Sequence, residues 1–382
     1  MIKNVIKNYI SQNTFRNDFF YCHFKPQIEA QMAEIINKQT LVDMLEDQTL
    51  LREYRKSVAH GTPWWSYNLN KSQNRMYGIC NSVFSGINDR NLFFPALEHG
   101  LFLFDGAYSD TTDASRAGAI TFGRFRRDIL LKCQPLPIYC VGPYIHYASD
   151  YYSPEVMEAK KERLGKNLLA FPTHGTNSAE LSFAEEAFLE KILSMKSSFD
   201  SVSVCVYWWN INDPFVERYR KEDIKIVCAG MREDTNFLSR QKAMIGLSDF
   251  VIGDSVGTHI GYCLSQDKPF SFFESGTSMK YLDQCEAGHL DFSDMQREKI
   301  KSVFADASGI DEKQRELYNY YWGGDMLRTP EEIRSIYIVN KRITNDCRGN
   351  RKKFGDYARK LVSDKLLEND TEHGILKEAL GM

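Results

Sequence analysis

From residue 167 onward, short apolar runs alternate with stretches in which apolar positions recur every three to four residues. The runs LLAFP (168–172), SVSVCVYW (201–208), IKIVCAG (224–230), DFVIG (249–253) and PFSFFE (269–274) are bounded by polar or small residues. Apolar runs of this length read as buried strands. Helical patterns lie between them at 179–194, 214–221, 237–246 and 258–265, the first carrying Leu181, Phe188, Ile192 and Leu193 on one stripe. Strands apolar on both faces and joined by helices predict a parallel sheet covered on both sides. Right-handed crossovers make it doubly wound.

The first 150 residues are less regular. A helical start over 8–56, interrupted at Pro26, precedes an aromatic-rich segment, and strands are expected at 101–104, 119–122 and 137–142. The pattern predicts a second α/β domain over 1–150. The charged stretch 143–166, with Pro143 and Pro154, reads as a linker. The sheet-rich domain then spans 151–345, and 346–382 form a helical tail. Within that tail KKFGDYARKLVSDKLL (352–367) is amphipathic and suited to pack back on the first domain.

Length and composition agree with two globular domains: 382 residues, 43% hydrophobic and 26% charged. A net charge of -3 argues against a dedicated nucleic-acid binder. Nine cysteines, an odd number with no CxxC pair, suggest neither a zinc site nor a disulfide framework. Free thiols at that frequency fit a reducing compartment. The first twenty residues lack the layout of a signal peptide, and no apolar run reaches the roughly 20 residues of a membrane span. A cytoplasmic protein is expected, with peripheral contact at the inner face of a membrane left open.

Open parallel sheets bind ligands beyond the carboxyl ends of their strands. Here those ends carry Thr173-His174-Gly175-Thr176-Asn177-Ser178, then Trp208-Trp209-Asn210, Gly230-Met231-Arg232-Glu233-Asp234, Gly253-Asp254-Ser255-Val256-Gly257-Thr258-His259 and Glu274-Ser275-Gly276. Five polar or small loops around one rim predict a ligand site. In the fourth loop the hydroxyls and the start of the next helix suit phosphate, although a capped turn has the same composition. His174 fits a phosphate or leaving group, or a structural bond to backbone. Arg232 fits a diphosphate, or a surface ion pair with Glu233 or Asp234. There is no G-x-x-x-x-G-K-[ST], no G-x-G-x-x-G after the first strand of either half, and no D-x-D. Those absences disfavour P-loop enzymes and nicotinamide enzymes.

The register of 167–274 and two segments, FPTHGTNS (171–178) and DFVIGDSVGTHIGYCLSQDKPF (249–270), resemble GT-B-fold bacterial glycosyltransferases of the surface-polysaccharide type. The resemblance covers about a quarter of the chain. It implies two Rossmann-like domains facing a cleft. The C-terminal one would hold a nucleotide-sugar donor without a metal or other cofactor, and the N-terminal one a glycan or glycolipid acceptor. Thr173, His174, Gly175, Thr176, Arg232, Asp254, Ser255, Gly257 and Thr258 are the implied donor contacts. The helix at 258–265 lacks the usual acidic residue that holds a ribose, which leaves the nucleotide open. His174 with Ser255 is compatible with a CMP-linked acidic sugar of the Kdo or sialic acid type.

A transferase must take a proton from the acceptor hydroxyl. Glu98 and His99 interrupt the apolar stretch FFPALEHGLFLFDG (93–106) and are the candidate bases, with Asp105 in reserve. A buried Glu-His pair or a solvated turn would look the same. Arg124, Arg126 and Arg127 suit an anionic acceptor, or form a solvated face. A rival reading takes GDSVG (253–257) as the G-x-S-x-G elbow of an α/β-hydrolase with Ser255 as nucleophile, His289 being its best histidine ahead of His259 and His373. A sugar-nucleotide epimerase and a non-catalytic glycan- or nucleotide-binding protein are further alternatives.

Overall fold

The computed structural model describes residues 9–10, 12–16, 77–79, 93–108, 111, 116–174, 179–182, 184–230, 236–281 and 290–382. They form two parallel sheets with helices between and around them. The first sheet has strands β1 (Ala96–Leu97), β2 (Ala119–Thr121) and β3 (Ile138–Cys140), in the order β1-β2-β3 and parallel throughout. Helix α1 (Arg124–Cys133) crosses over from β2 to β3. The segment 101–104, expected as a strand, runs as an irregular loop after β1. Its Leu101, Leu103 and Phe104 are buried without a neighbouring strand, so its hydrophobicity reports burial and not pairing.

The stretch expected as a linker is structured. After a 3₁₀ turn at Tyr144–Tyr147 comes helix α2 (Pro154–Leu164), with Pro154 at its first position and the Ser153 side chain capping Val156 N. No α2 residue is buried, which is why its composition reads as a linker.

The second sheet follows as β4 (Asn167–Phe171), α3 (Glu185–Lys196), β6 (Ser201–Cys205), α4 (Val216–Lys221), β7 (Lys225–Val227), α5 (Phe237–Gly246), β8 (Phe250–Gly253), α6 (Thr258–Leu264) and β9 (Phe270–Phe272). Its spatial order is β7-β6-β4-β8-β9, all parallel, with Leu168 level with Val202 on one side and Phe250 on the other. This is the doubly wound α/β arrangement that the periodicity predicts. Alternation within β4 divides the core. Leu168 and Ala170 join Val202, Val204, Ile226 and Ile252 under α3 and α4. Leu169 and Phe171 join Val251 and Phe270 under α5 and α6. The second layer continues without a break into Leu97, Ile120 and Val141 of the first domain.

One element departs from expectation at the site. Residues 179–182 do not begin the helix. They form β5 (Ala179–Ser182), which pairs antiparallel with β10 (Ser278–Tyr281). The two strands extend from the loops that follow β4 and β9, so the ribbon stands on the carboxyl edge of the sheet.

The chain ends in helices α7 (Leu290–Phe304), α8 (Glu312–Leu317), α9 (Pro330–Asp346), α10 (Phe354–Ser363) and α11 (Asp370–Ala379), with a π-helical turn at Tyr318–Trp322. The return to the first domain begins earlier than residue 346. The ring of Tyr337, on α9, packs 5.3 Å from that of Phe94, and α11 lies against β3. Arg328, just before α9, fastens the joint by donating to Cys140 O at 2.9 Å and pairing with Glu332 and Glu378. Among the described residues no helix is long and apolar enough to cross a membrane.

Candidate functional site

In the order β7-β6-β4-β8-β9 the chain winds outward in both directions from β4, so the topological switch point lies between the carboxyl ends of β4 and β8. Thr173 and Asp254 stand there. The Asp254 carboxylate accepts from Thr173 N (2.6 Å) and Thr173 Oγ1 (2.7 Å) through one oxygen. Its other oxygen accepts from Ser275 Oγ (2.9 Å) and Thr277 Oγ1 (3.4 Å). Thr277 Oγ1 in turn accepts from Ala184 N at the head of α3. One carboxylate thus ties together the loops after β4, β8 and β9. Asp254 is a framework residue of the rim, a role that composition alone does not separate from ligand binding.

The two glycines of GDSVG have a packing reason. A Cβ on Gly253 would lie 3.1 Å from the Phe270 ring and 3.2 Å from His259 Nε2, and one on Gly257 would lie 3.3 Å from His259 Nδ1. Both leave room for the His259 imidazole, which stacks on Phe171 (5.2 Å between centroids, 30°) and meets Phe270 edge-on. Burial, with a smaller effect from nearby His174, lowers its pKa to about 4, so the ring is neutral at pH 7. Its Nε2 is buried and has no hydrogen-bond partner among the described residues. The sequence offers His259 as the end of the polar rim stretch 254–259 and as a hydrolase histidine, and shows neither its burial nor its ring contacts. What marks it out is the glycine spacing on either side.

Ser255 is partly buried. It is absent from the non-glycine residues at positive φ and makes no bond to a histidine among the described residues. The strained elbow and the Ser-His contact that a hydrolase needs are both missing here. His373 lies on α11, against the first domain, and His289 is outside the described residues. The hydrolase reading is therefore not favoured, and no observation favours an epimerase.

His174 is exposed, and its ring stacks on Tyr207 at 4.4 Å and 15°, forming a flat platform between the loops after β4 and β6. Gly175, Thr176 and Arg232 lie outside the described residues.

The first domain reaches this rim through the loop after β1. Leu101 N donates to Thr258 Oγ1 at 3.0 Å, and a Cβ on Gly100 would lie 3.3 Å from the same oxygen. Thr258 therefore joins the domains, and its hydroxyl proton is still available to donate. His99 stands beside that contact, half-buried, with its ring edge-on to Phe102 (4.9 Å) and its carbonyl accepting from Tyr77 OH.

Glu98 requires a correction. Its side chain is 0% exposed and is locked by Arg126, equally buried, with Nη2 donating at 2.7 Å and Nε at 3.2 Å. Thr121 Oγ1 donates to it at 2.6 Å. Arg126 also holds the carbonyls of Phe104 and Gly106. This pair shapes the loop that carries His99, and Glu98 does not face the cleft as a base. Arg126 is likewise not an acceptor contact, and Arg124 and Arg127 are paired with Asp325 and Asp128. Asp105 is exposed at the far end of the same loop and is close enough to Cys133, at the last turn of α1, to influence its thiol. The described residues contain no cluster of His, Cys, Asp or Glu that could hold a metal ion.

No protein-family model matches the chain, and no curated protein does. Among solved structures it is similar to the wall teichoic acid polymerase TagF, at 11% identity and a TM-score of 0.34 over 60% of this chain and 58% of that one. It is also similar to UGT2 of Phytolacca americana complexed with UDP-2-fluoro-glucose and pterostilbene (13%, 0.29, over 72% and 56%) and to Arabidopsis thaliana UGT89C1 (13%, 0.31, over 84% and 77%). The chain spans less than two thirds of the length of the first two.

Proposed function

We propose that this protein transfers a sugar from a nucleotide-sugar donor to a glycan or glycolipid acceptor, as in the assembly of a bacterial surface polysaccharide. The observation that carries the reading is the Leu101–Thr258 hydrogen bond, which sets the loop bearing His99 against the switch point of a doubly wound sheet. A ligand bound at the switch point would then lie between the domains, with its reacting end toward His99. The nucleotide would rest over residues 173–174 and 254–258, with the His174–Tyr207 platform at its side and Ser255 and Thr258 as hydroxyl donors. In the reaction the acceptor oxygen bonds to the anomeric carbon, the bond from that carbon to the phosphate oxygen breaks, and the nucleotide leaves with the bonding electrons. His99 is the proposed recipient of the hydroxyl proton, with Asp105 the more distant alternative. No protein-bound metal is invoked. His174 and Ser255 are the reason to place a CMP-linked acidic sugar first among donors.

The test is a thermal-shift panel of CMP, UDP and GDP, in which a ligand of the folded state must raise Tm. UDP belongs in the panel because one similar structure contains a UDP-sugar analogue. One nucleotide should raise Tm, and Ser255→Ala and His174→Ala should each reduce that shift. His99→Ala should keep the shift and lower transfer by roughly 100-fold or more. No shift with any nucleotide would sink the reading. Full activity in His99→Ala would remove the base assignment alone.

A further inference from the structure

A second surface, remote in sequence from the switch point, has a chemistry of its own. Residues 12–14 are sewn onto the loop between α9 and α10. Thr14 N donates to Gly349 O, Arg351 N to Gln12 O and Asn13 Nδ2 to Arg348 O. Asn13 also forms an isolated antiparallel bridge with Asn350. Gly349 is held at φ 68°, and a Cβ there would meet the Phe15 ring at 2.7 Å. The loop and the N-terminal segment therefore form one fitted unit, and what they present outward is fixed by backbone contacts.

That outward face combines two exposed rings with four exposed cations. Tyr9 is 61% exposed and Phe15 39%. Arg16 lies 4.1 Å over the Tyr9 ring. Arg348, Lys352 and Lys353 are exposed on the adjoining loop. Among the described residues none of the four cations has a carboxylate within ion-pair distance, whereas most other described arginines have one. Unneutralised charge of one sign on a chain of net charge -3 needs an explanation. So do two rings that keep part of their surface in solvent beside it, Tyr9 most of all.

We propose that this face docks the protein on an anionic lipid bilayer, with Tyr9 and Phe15 at headgroup depth and Arg16, Arg348, Lys352 and Lys353 against lipid phosphates. Charge complementarity selects an anionic partner. The rings select a bilayer over a nucleic acid or another anionic polymer, because an interface accepts apolar surface beside cations and a hydrated polyanion does not reward Phe15. The proposal is independent of the transfer chemistry, since it concerns a surface and not the rim.

The test is co-sedimentation of the full chain with phosphatidylcholine vesicles and with vesicles carrying about one-third phosphatidylglycerol. Binding should require the anionic lipid and weaken with salt. Arg348→Gln/Lys352→Gln/Lys353→Gln should lower partitioning by roughly 100-fold. Tyr9→Ser/Phe15→Ser should lower it about 10-fold and keep the salt dependence. A charge-matched control, Lys221→Gln/Lys299→Gln/Lys313→Gln, should bind as the parent does. All these positions are exposed, and unchanged circular dichroism will show that each variant is folded. Three results would overturn the proposal. They are equal loss in the control, unchanged binding of the ring variant, and tight binding of an oligonucleotide without binding to anionic vesicles.

Discussion

At the scale of single residues, the structure separates groups that the sequence presents alike. Glu98 and His99 are neighbours, yet one is sealed into an ion pair and the other stands at the domain contact. A buried charge that loses its partner is costly, about 3–5 kcal/mol, whereas replacing both members with apolar groups costs far less. Arg126→Met is therefore expected to lower the urea-unfolding free energy by that amount, and Glu98→Leu/Arg126→Met to recover much of it. If the double variant is no better than the single one, the pair does more than fill and neutralise this space. His259 makes a second prediction. Its folded pKa, about 4, lies below the usual histidine value because burial disfavours the charged ring. The unfolded chain then binds the proton more readily, so stability is fully present above about pH 6.5 and is lost as pH falls toward 4. The loss reaches up to about 3 kcal/mol by pH 4. His146 is shifted the same way, also chiefly by burial, and adds to the slope. His259→Phe should flatten the dependence of unfolding free energy on pH between 7.5 and 5, and an unchanged slope would assign it to other groups.

At the scale of elements, the joint between domains is the π-helical turn Tyr318–Trp322. Trp322 is wholly buried and faces Gly261 on α6, where a Cβ would come within 2.1 Å of its Cδ1. The turn ends at Gly323, held at φ 67°, where a Cβ would lie 2.3 Å from Phe122 O, just after β2. The wedge thus touches α6 of the second domain and the β2–α1 turn of the first. On helix propensity alone, Gly261→Ala would stabilise α6 by about 1 kcal/mol. The collision with the indole reverses that sign, and a net loss of roughly 2 kcal/mol is expected in equilibrium unfolding. A gain in Tm would show that Trp322 can move aside at little cost. A glycine inside a helix ordinarily weakens it. The reason for Gly261 lies in residues sixty positions away.

At the scale of the whole molecule, the first sheet is short of partners without the chain's end. Helices α9 and α11 cover it, Arg328 pins them to β3, and Gly355 on α10 fits against Pro135 O with no room for a side chain. Ending the chain after Thr329 should therefore expose the core around Ile120 and Tyr139. Loss of soluble expression, or dye binding typical of exposed apolar surface, is expected on expressing the shortened chain. A shortened chain that stays monomeric and unfolds cooperatively would show that the first domain is self-sufficient.

What the sequence determined by itself is the second sheet. Its strands carry apolar residues on both faces and its helices a stripe on one, so periodicity alone reports each element, and α5 is recovered at residues 237–246 as expected. The strand order that puts Thr173 and Asp254 at the switch point is not in that pattern and comes from the sheet itself. Only the tertiary structure decided the rest. A strand such as β5 is four residues of alternation that also continue the helical stripe toward Phe188, and pairing with β10 resolves the ambiguity. The tail's return to the first domain was expected, but its start at Pro330 depends on contacts with Phe94 and Cys140. The task of each polar residue was also decided there. Local pattern records how much of a side chain is buried, whereas whether Glu98 meets Arg126 or a substrate depends on which distant segment arrives beside it.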